Sequence, residues 1–158
     1  MSGAFKLKNG SLLLSAEAPG GMYNHSQLKK IAEICEKGSG VVKATEDQRL
    51  ALFVEEDQLE QVKEELKSCG LWARGYQQGL HMPITCVGEL WPEQQQDSMG
   101  TTLELSALLA DIELDNPLKI GINGSVECLI PTHTLDVSII GDTNGYKVYL
   151  GGKNSLIP

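Results

Sequence analysis

The chain has 158 residues, a formal net charge of −8 and 41% hydrophobic residues, which is typical of a globular protein with one domain or two small ones. No apolar run reaches the ~20 residues that a membrane-spanning helix needs, and the apolar part of the N-terminus is too short for a signal peptide, so we expect a cytoplasmic protein. Arg49 and Arg74 are the only arginines. Their scarcity argues against a nucleic-acid surface and against a site that clamps many carboxylates or phosphates.

The first half of the chain predicts the order β-α-β-β-α with a possible further strand after Leu71, which is the pattern of a ferredoxin-like split βαβ unit. Strands are predicted over residues 11–18, 41–45 and 50–54. Asn24 and Gln27 have the spacing of a capping box at the start of the first helix. The predicted inner faces of the two helices are Leu28, Ile31, Ala32 and Cys35 in the first, and Leu59, Val62, Leu66 and Cys69 in the second.

A second unit is predicted to begin near residues 77–79. Strands are expected over residues 81–87, 119–122, 135–140 and 146–150, and Asn144-Gly145 is a strong signal for a tight hairpin. A capping box at Thr101 and Glu104 predicts the start of a helix whose apolar face is Leu105, Leu108, Leu109 and Ile112. The sequence therefore predicts an α+β chain with two units.

The four cysteines are Cys35, Cys69, Cys86 and Cys128, and none forms a Cys-x-x-Cys pair. Scattered cysteines in a cytosolic protein are more often buried small residues than ligands or disulfides. We therefore predict that Cys35 belongs to the core face of the first helix and that Cys69 is a core or helix-end residue of the second.

Several short motifs occur in an order that resembles the siroheme-dependent sulfite and nitrite reductases, including the dissimilatory sulfite reductases. In the first half these motifs are Pro19-Gly20, Thr45-Glu46-Asp47-Gln48 and Gly70-Leu71. In the second half they are the Asp-x4-Gly segment over residues 136–141 and the Gly-Tyr…Gly-Gly hairpin over residues 145–152. The resemblance implies a ferredoxin-like half-domain over residues 1–76 and a 4Fe–4S and siroheme half-domain over residues 77–158.

The resemblance also implies a set of cluster-binding positions, of which few carry cysteine. The first family cysteine matches Cys86, and its partner position is Pro92. The second pair falls on Ser125 and Leu129; a shift by one residue would match Cys128 but would place Gly124 opposite the other cysteine. A 4Fe–4S cluster needs four thiolates or close substitutes, so at most two of its four ligands remain.

The siroheme position implied by the family is altered as well. The arginine of the family's Thr-x-Arg-Gln stretch helps to hold the macrocycle and its anionic substrate, and Asp47 stands at that position, followed by the retained Gln48. A carboxylate there would repel anionic groups. We therefore expect neither siroheme nor a 4Fe–4S cluster to be bound, and we expect Leu90, Trp91 and Leu129 to fill the cleft.

Three functions follow from these expectations. The first is a non-catalytic relative of the reductases that acts as an accessory or ligand-binding protein. The second is a redox protein that binds siroheme or an iron–sulfur cluster through altered ligands, and the third is a thiol-based sensor that uses Cys86 and Cys128. The family's catalytic proteins carry two such halves in one chain, so a homodimer that restores the two-fold symmetry is expected.

Overall fold

The computed structural model describes residues 5–76, 78–127, 130–131 and 134–151. Its contacts divide the chain into two compact units, Met1–Gly79 and Leu80–Pro158. Within the described ranges, no helix has both the length and the apolar character that crossing a bilayer requires.

The first unit has a five-stranded antiparallel sheet and two helices. The central strand β2 pairs with β4 on one side and with β1 and β5 on the other, and β3 is the edge strand beside β4. After the short strand β1, the element order β-α-β-β-α-β along the chain is the one that the sequence predicted for a ferredoxin-like unit. The elements are β1 Phe5–Lys6, β2 Leu12–Glu17, α1 His25–Lys37, β3 Val42–Ala44, β4 Leu50–Val54, α2 Leu59–Ser68 and β5 Trp72–Gly75.

The core of the first unit is a continuous apolar cluster between the sheet and the two helices. At the helix starts and ends, polar groups complete the packing: Asn24 and Gln27 form the predicted capping box of α1, and the Gln27 amide donates to the Cys69 carbonyl at 3.2 Å. The buried members are Leu12, Leu14, Ala16, Ala18, Ile31, Ile34, Leu52, Val54, Leu59, Val62, Leu66 and Leu71. Burial of this cluster is the main favourable contribution to the folding of the unit.

The inner face of α1 differs from the predicted one. Gln27, Ile31 and Ile34 are buried, whereas Leu28 is 47% exposed and Ala32 is exposed. Cys35 is partly buried against the core, and burial raises the pKa of its thiol. The predicted inner face is therefore rotated around the axis of α1 relative to the observed one, because the prediction left out Ile34.

The second unit has a four-stranded mixed sheet in the order β6-β7-β8-β9. Strands β6, β7 and β8 are parallel, and β9 returns antiparallel to β8 through the Asn144-Gly145 turn. The elements are β6 Ile84–Thr85, α3 Ser98–Leu109, β7 Ile120–Asn123, β8 Val137–Asp142 and β9 Gly145–Leu150.

Helix α3 starts earlier than predicted, and its buried face is rotated from the predicted one. Its N-cap is Asp97, whose carboxylate accepts the Gly100 N–H at 2.9 Å, so the predicted capping box at Thr101 and Glu104 is wrong. The buried residues of α3 are Ser98, Thr102 and Ser106, while Leu108 is 76% exposed. The Thr102 and Ser106 hydroxyls donate to carbonyls one turn earlier, at 2.6 and 2.7 Å, so these polar residues are buried without loss of hydrogen bonds.

Candidate functional site

The first candidate site is the loop over residues 45–49, which joins β3 to β4 and contains Asp47 and Gln48. The Thr45 hydroxyl lies 2.6 Å from the Asp47 carboxylate and also accepts the Arg49 N–H at 3.1 Å. The Thr45 N–H donates to the Arg49 carbonyl at 2.9 Å. The loop is thus a closed turn held by its own side chains.

A buried charge network surrounds this loop. The Arg49 guanidinium forms ion pairs with Asp47 and, at 3.4 Å, with Glu17, and the side chains of Arg49 and Glu17 are 4% and 0% exposed. The register that pairs Ala16 with Leu50 brings Glu17 beside Arg49.

Sequence reasoning placed Asp47 in this site but missed Arg49 and Glu17. Asp47 is not an isolated carboxylate that repels anions, because Arg49 pairs with it. The signals were present in the sequence: a glutamate inside the apolar strand β2, and one of only two arginines directly after the loop. A buried charge is tolerated only when it is paired, so an acid in a central strand indicates a nearby cation.

Gln48 lies at the closest approach of this loop to the turn after β2. Its φ of 61° is in the left-handed region, and it is the only residue other than glycine with positive φ in the described part of the chain. A Cβ atom added at Gly21 would lie 2.6 Å from the Cβ of Gln48, so only glycine fits there. The Pro19-Gly20-Gly21 turn and the loop at Gln48 therefore form one tightly packed corner.

Tyr23 joins the same corner to the sheet. Its hydroxyl donates to the Ala16 carbonyl at 2.7 Å and accepts the Leu50 N–H at 3.2 Å, which connects β2 to β4. Burial raises the pKa of the Tyr23 phenol to about 12. The Tyr23 hydroxyl thus connects the corner to both strands through two hydrogen bonds.

The second candidate site contains Cys86 and Ser125, at the ends of neighbouring strands of the second unit. Because β6 and β7 run parallel with Thr85 opposite Ile122, their carboxyl ends meet at the same edge of the sheet. Cys86 follows β6 and is 5% exposed; Ser125 follows β7 and is 1% exposed. The structure therefore places these two predicted residues at one edge.

The start of α3 lies against Cys86. The Cys86 Sγ is 3.3 Å from the Ser98 hydroxyl, and the Thr101 hydroxyl is 3.0 Å from the Tyr146 hydroxyl of β9. Burial raises the pKa of the Tyr146 phenol, and the Thr101 hydrogen bond opposes that shift. The Ser125 hydroxyl accepts the Glu127 N–H at 3.4 Å. Sequence reasoning missed Ser98, whose hydroxyl lies against the thiol.

The loop before α3 is packed on two glycines of the sheet. The N–H groups of Gln95 and Gln96 both donate to the Gly124 carbonyl at 3.0 Å, and the Gln96 amide donates to the Asp142 carbonyl at 2.7 Å. Cβ atoms added at Gly124 and Gly141 would lie 2.7 and 2.5 Å from backbone oxygens. The predicted filling by Leu90 is wrong, because this side chain is 81% exposed; Trp91 is partly buried.

Several predicted residues lie outside the described part of the chain. These are Cys128, Leu129 and the Gly152 end of the hairpin motif. Their predicted roles stay predictions.

The donor set at the second site does not fit a 4Fe–4S cluster. Pro92 has no donor side chain, and the hydroxyl of Ser125 is a poor ligand for this soft centre. Within the described residues, no group of three or more His, Cys, Asp or Glu side chains could hold a metal ion. Even with Cys128 included, the chain offers two thiols at the family positions where four are needed.

The first site also fits siroheme poorly. A macrocycle that carries many carboxylates requires cationic partners. Arg49 is paired with Glu17 and Asp47, and Arg74 lies over the Trp72 ring with 4.8 Å from its Cζ to the centroid. Both arginines of the chain are thus engaged inside the first unit.

The sequence is similar to that of known nitrite and sulfite reductases. Residues 5–69 match the family model of the nitrite/sulfite reductase ferredoxin-like half domain. The nitrite reductase (NADH) large subunit of Escherichia coli (strain K12) is 28% identical over 154 residues, 96% of this chain. The nitrite reductase (NAD(P)H) of Bacillus subtilis (strain 168) is 28% identical over 148 residues, 92% of this chain. The chain spans only 18% of the length of each relative.

Two solved structures share the fold. Dissimilatory sulfite reductase I matches with a TM-score of 0.70 and 20% identity, over 83% of this chain and 33% of that one. The NirA protein of Mycobacterium tuberculosis matches with a TM-score of 0.68 and 23% identity, over 99% of this chain and 32% of that one.

The fold is of the α+β type, with a ferredoxin-like unit followed by a second, mixed unit. The first unit matches the ferredoxin-like half domain of the nitrite/sulfite reductases, and the chain is similar over nearly its whole length to two nitrite reductases, in agreement with the resemblance that the order of its motifs predicted.

Proposed function

We propose that this chain is a sulfite/nitrite reductase-like protein that has lost siroheme and 4Fe–4S binding and acts as a non-catalytic accessory or ligand-binding protein in the cytoplasm. The observation that carries the proposal is the composition of the second site. Cys86 is buried against the Ser98 hydroxyl, and the neighbouring family position holds the buried Ser125. One thiol among hydroxyl groups is a poor substitute for the thiolates of a cluster.

The charge network of the first site supports the same proposal. Arg49 lies two positions after the family's arginine, and its guanidinium pairs with two carboxylates of the same unit. Releasing it for an anionic ligand would leave Glu17 buried without its charge partner, which costs several kcal/mol. The loop is therefore better suited to stabilise the fold than to bind sulfite, nitrite or a propionate.

The test is an absorption spectrum together with iron and acid-labile sulfide analysis on protein purified without oxygen. We expect a colourless protein without stoichiometric iron, also after incubation with ferrous iron and sulfide under reducing conditions. The Cys86→Ser variant is the matched control, because a cluster held through altered ligands would lose its absorption in that variant. Bands of a macrocycle or a cluster with stoichiometric iron in the wild type would overturn the proposal.

The alternative is an oxidoreductase-type protein that binds siroheme or a cluster through altered ligands. The observation in its favour is that the similarity to the two nitrite reductases covers 92% and 96% of the chain, including the second unit. The same spectrum separates the two functions.

We also propose a homodimer that restores the family two-fold, because the described chain holds one copy of each unit and isologous pairing is the commonest way to form a symmetric oligomer. Size-exclusion chromatography with light scattering at tens of micromolar protein tests it. A monomer alone at that concentration would contradict the dimer but not the proposed loss of cofactors.

A further inference from the structure

Strand β9 is an edge strand of the second sheet, and it lacks the features that normally stop an edge strand from pairing with another chain. In the described part of the chain, β9 pairs with β8 and with no further strand. It is six residues long, has no proline, and has Lys147 as its one charged residue. Its register with β8 runs without a bulge. Natural edge strands are commonly short, or are protected by proline, bulges or lysine.

Lys147 does not protect this edge as a free charge. Its ammonium group lies 2.6 Å from the Asp142 carboxylate of β8. Lys147 is opposite Ile140 in the ladder, so Asp142 is its diagonal neighbour on the same face of the hairpin. The charge of Lys147 is therefore paired with the strand behind it, and it does not guard the outer edge of β9.

The outer edge of β9 presents backbone groups that a further strand could bind. The Gly151 N–H donates to the Asp136 carbonyl at 2.8 Å, directly after the end of β9. Hydrogen-bonded positions alternate along an antiparallel ladder, so the backbone groups of Tyr149 and Lys147 also point toward β8. The residues between these positions direct their N–H and C=O groups away from β8. They are Tyr146, Val148 and Leu150.

The side chains of these three residues lie on one face of the sheet, because alternate residues of a strand point to the same side. Val148 is 46% exposed and Leu150 is 59% exposed. Their partners in the ladder, Ile139 and Val137 of β8, extend the same face and are partly buried. An apolar stripe therefore runs along the accessible edge strand, with the outward backbone groups beside it.

We propose that β9 pairs antiparallel with β9 of a second copy, with Val148 opposite Val148 on the two-fold axis, so that the two sheets join into one. This inference names the contact surface of the homodimer proposed above and rests on that proposal. The register follows from the backbone, because it brings each outward-facing residue of one copy opposite an outward-facing residue of the other. Two hydrogen bonds can form at each such pair.

The side chains agree with this register. Tyr146 is opposite Leu150 of the second copy, and the two Val148 side chains meet at the axis, which are pairings that stabilise neighbouring strands. On the other face, Lys147 is opposite Tyr149 of the second copy, where an ammonium group is attracted to the ring. A register centred on Lys147 would place two like charges directly opposite each other, which is destabilising.

The first test measures the dimer dissociation constant by size-exclusion chromatography with light scattering, over a dilution series from about 100 µM to about 1 µM protein. Val148→Lys places two ammonium groups on the axis, and Val148→Pro removes an outward N–H without removing a bond to β8. Each should weaken dimerisation about tenfold or more, with an unchanged circular dichroism spectrum. Val148→Ala keeps the backbone groups and an apolar side chain, so it should dimerise within about threefold of the wild type.

The matched control is Val42→Lys, which changes an equally exposed valine, at 44%, on the edge strand β3 of the first unit. It should dimerise as the wild type does. A wild-type dimer that withstands Val148→Lys and Val148→Pro, or that Val42→Lys weakens equally, would overturn the assignment to β9 and leave the homodimer in place. A monomeric wild type would overturn both.

Cysteine cross-linking tests the register itself. The Cα atoms of a hydrogen-bonded cross-strand pair are about 5.5 Å apart, which a disulfide can span, so Val148→Cys should form a covalent dimer with oxidised glutathione in excess of the wild type. The two Lys147→Cys positions would lie about 8 Å apart, beyond that reach, and should not. Mass spectrometry of the linked peptides identifies the bond. A covalent dimer of Lys147→Cys without one of Val148→Cys would overturn the register.

Discussion

The two units of this chain reach a stable packing in different ways. The ferredoxin-like unit has a large apolar cluster between its sheet and both helices, together with a buried ion-pair network at one corner. In the second unit, the apolar cluster of described residues is Ile84, Cys86, Ile130 and Leu135, and its helix contributes serine and threonine. The first unit therefore depends on apolar burial, and the second depends more on hydrogen bonds and close backbone approach.

The difference bears on the loss of chemistry proposed for this chain. The first unit has a continuous apolar core, and the charged groups of its loop over residues 45–49 pair with side chains of the same unit. The second unit has a buried thiol beside a serine hydroxyl, glycines in close contact with a loop, and leucines exposed to solvent. We expect this pattern in a unit that once packed around a bound cofactor or a partner and has since lost it.

The largest expected effect comes from breaking the buried network of the first unit. Arg49→Met should lower the free energy of unfolding by about 3–5 kcal/mol, because it removes the guanidinium that pairs with the buried carboxylate of Glu17. Urea unfolding followed by circular dichroism measures the change. The control is Arg74→Met, which removes a guanidinium stacked on Trp72 and should cost only about 1 kcal/mol. Equal losses in both variants would contradict a special role for the network.

The same substitution in one helix of each unit tests the comparison directly. Leu66→Ala in α2 should cost about 2–5 kcal/mol, because Leu66 is fully buried and the change leaves a cavity. Leu108→Ala in α3 should change stability by less than about 0.5 kcal/mol, because that side chain is exposed. If Leu108→Ala is as destabilising as Leu66→Ala, then Leu108 is part of a core and the contrast between the units is lost.

Close backbone approach in the second unit is tested at Gly141. A Cβ atom there would lie 2.5 Å from the Gly124 carbonyl oxygen and 2.9 Å from the Gln96 Cβ. Gly141→Ala should therefore cost about 2–3 kcal/mol, as overpacking does, and should loosen the loop over residues 91–97. Hydrogen exchange at the Gln95 and Gln96 amides would report the loosening. The exposed Val148 of the adjacent strand provides the control, since Val148→Ala should leave both quantities nearly unchanged.

Local patterns predicted more of the first unit than of the second. The capping box at Asn24 and Gln27 and the stripe at Leu59, Val62 and Leu66 are signals within one element, and the structure bears them out. For α3 the apolar pattern predicted the wrong face, because burial of Ser98 and Thr102 depends on hydrogen bonds that a hydropathy pattern does not contain.

The two candidate sites show the same difference between local signals, which predict a site, and long-range contacts, which do not. The sequence predicted Cys86 and Ser125, and the strand ends that bring them together followed once the parallel pairing was known. The glutamate inside the apolar strand β2 indicates that a cation is near, but Arg49 is identified as that cation only when β2 and β4 are in register. Long-range charge pairs of this kind are beyond single-element patterns.

The smallest expected effect concerns the hydroxyl of Tyr23, which satisfies the Ala16 carbonyl and the Leu50 N–H. Tyr23→Phe should cost about 1–2 kcal/mol, because it leaves both backbone groups without their partner. Tyr149→Phe is the control, since the Tyr149 hydroxyl makes no hydrogen bond with a described residue, and it should cost less than about 0.5 kcal/mol. Equal costs in the two variants would contradict a role for the Tyr23 hydroxyl in joining β2 to β4.

The pKa of Tyr23 gives the same contact a pH dependence. Burial raises the pKa of this phenol from its ordinary 10.0 to about 12, so the folded state favours the protonated form. The contribution of the protonated phenol to stability is therefore complete below pH 10 and is lost as the pH rises through about 12. Between these limits, the free energy of unfolding should fall more steeply with pH for the wild type than for Tyr23→Phe. Parallel curves would indicate that the phenol is accessible to solvent. Because the contact joins the two central strands of the ferredoxin-like unit, its loss at high pH should unfold that unit first.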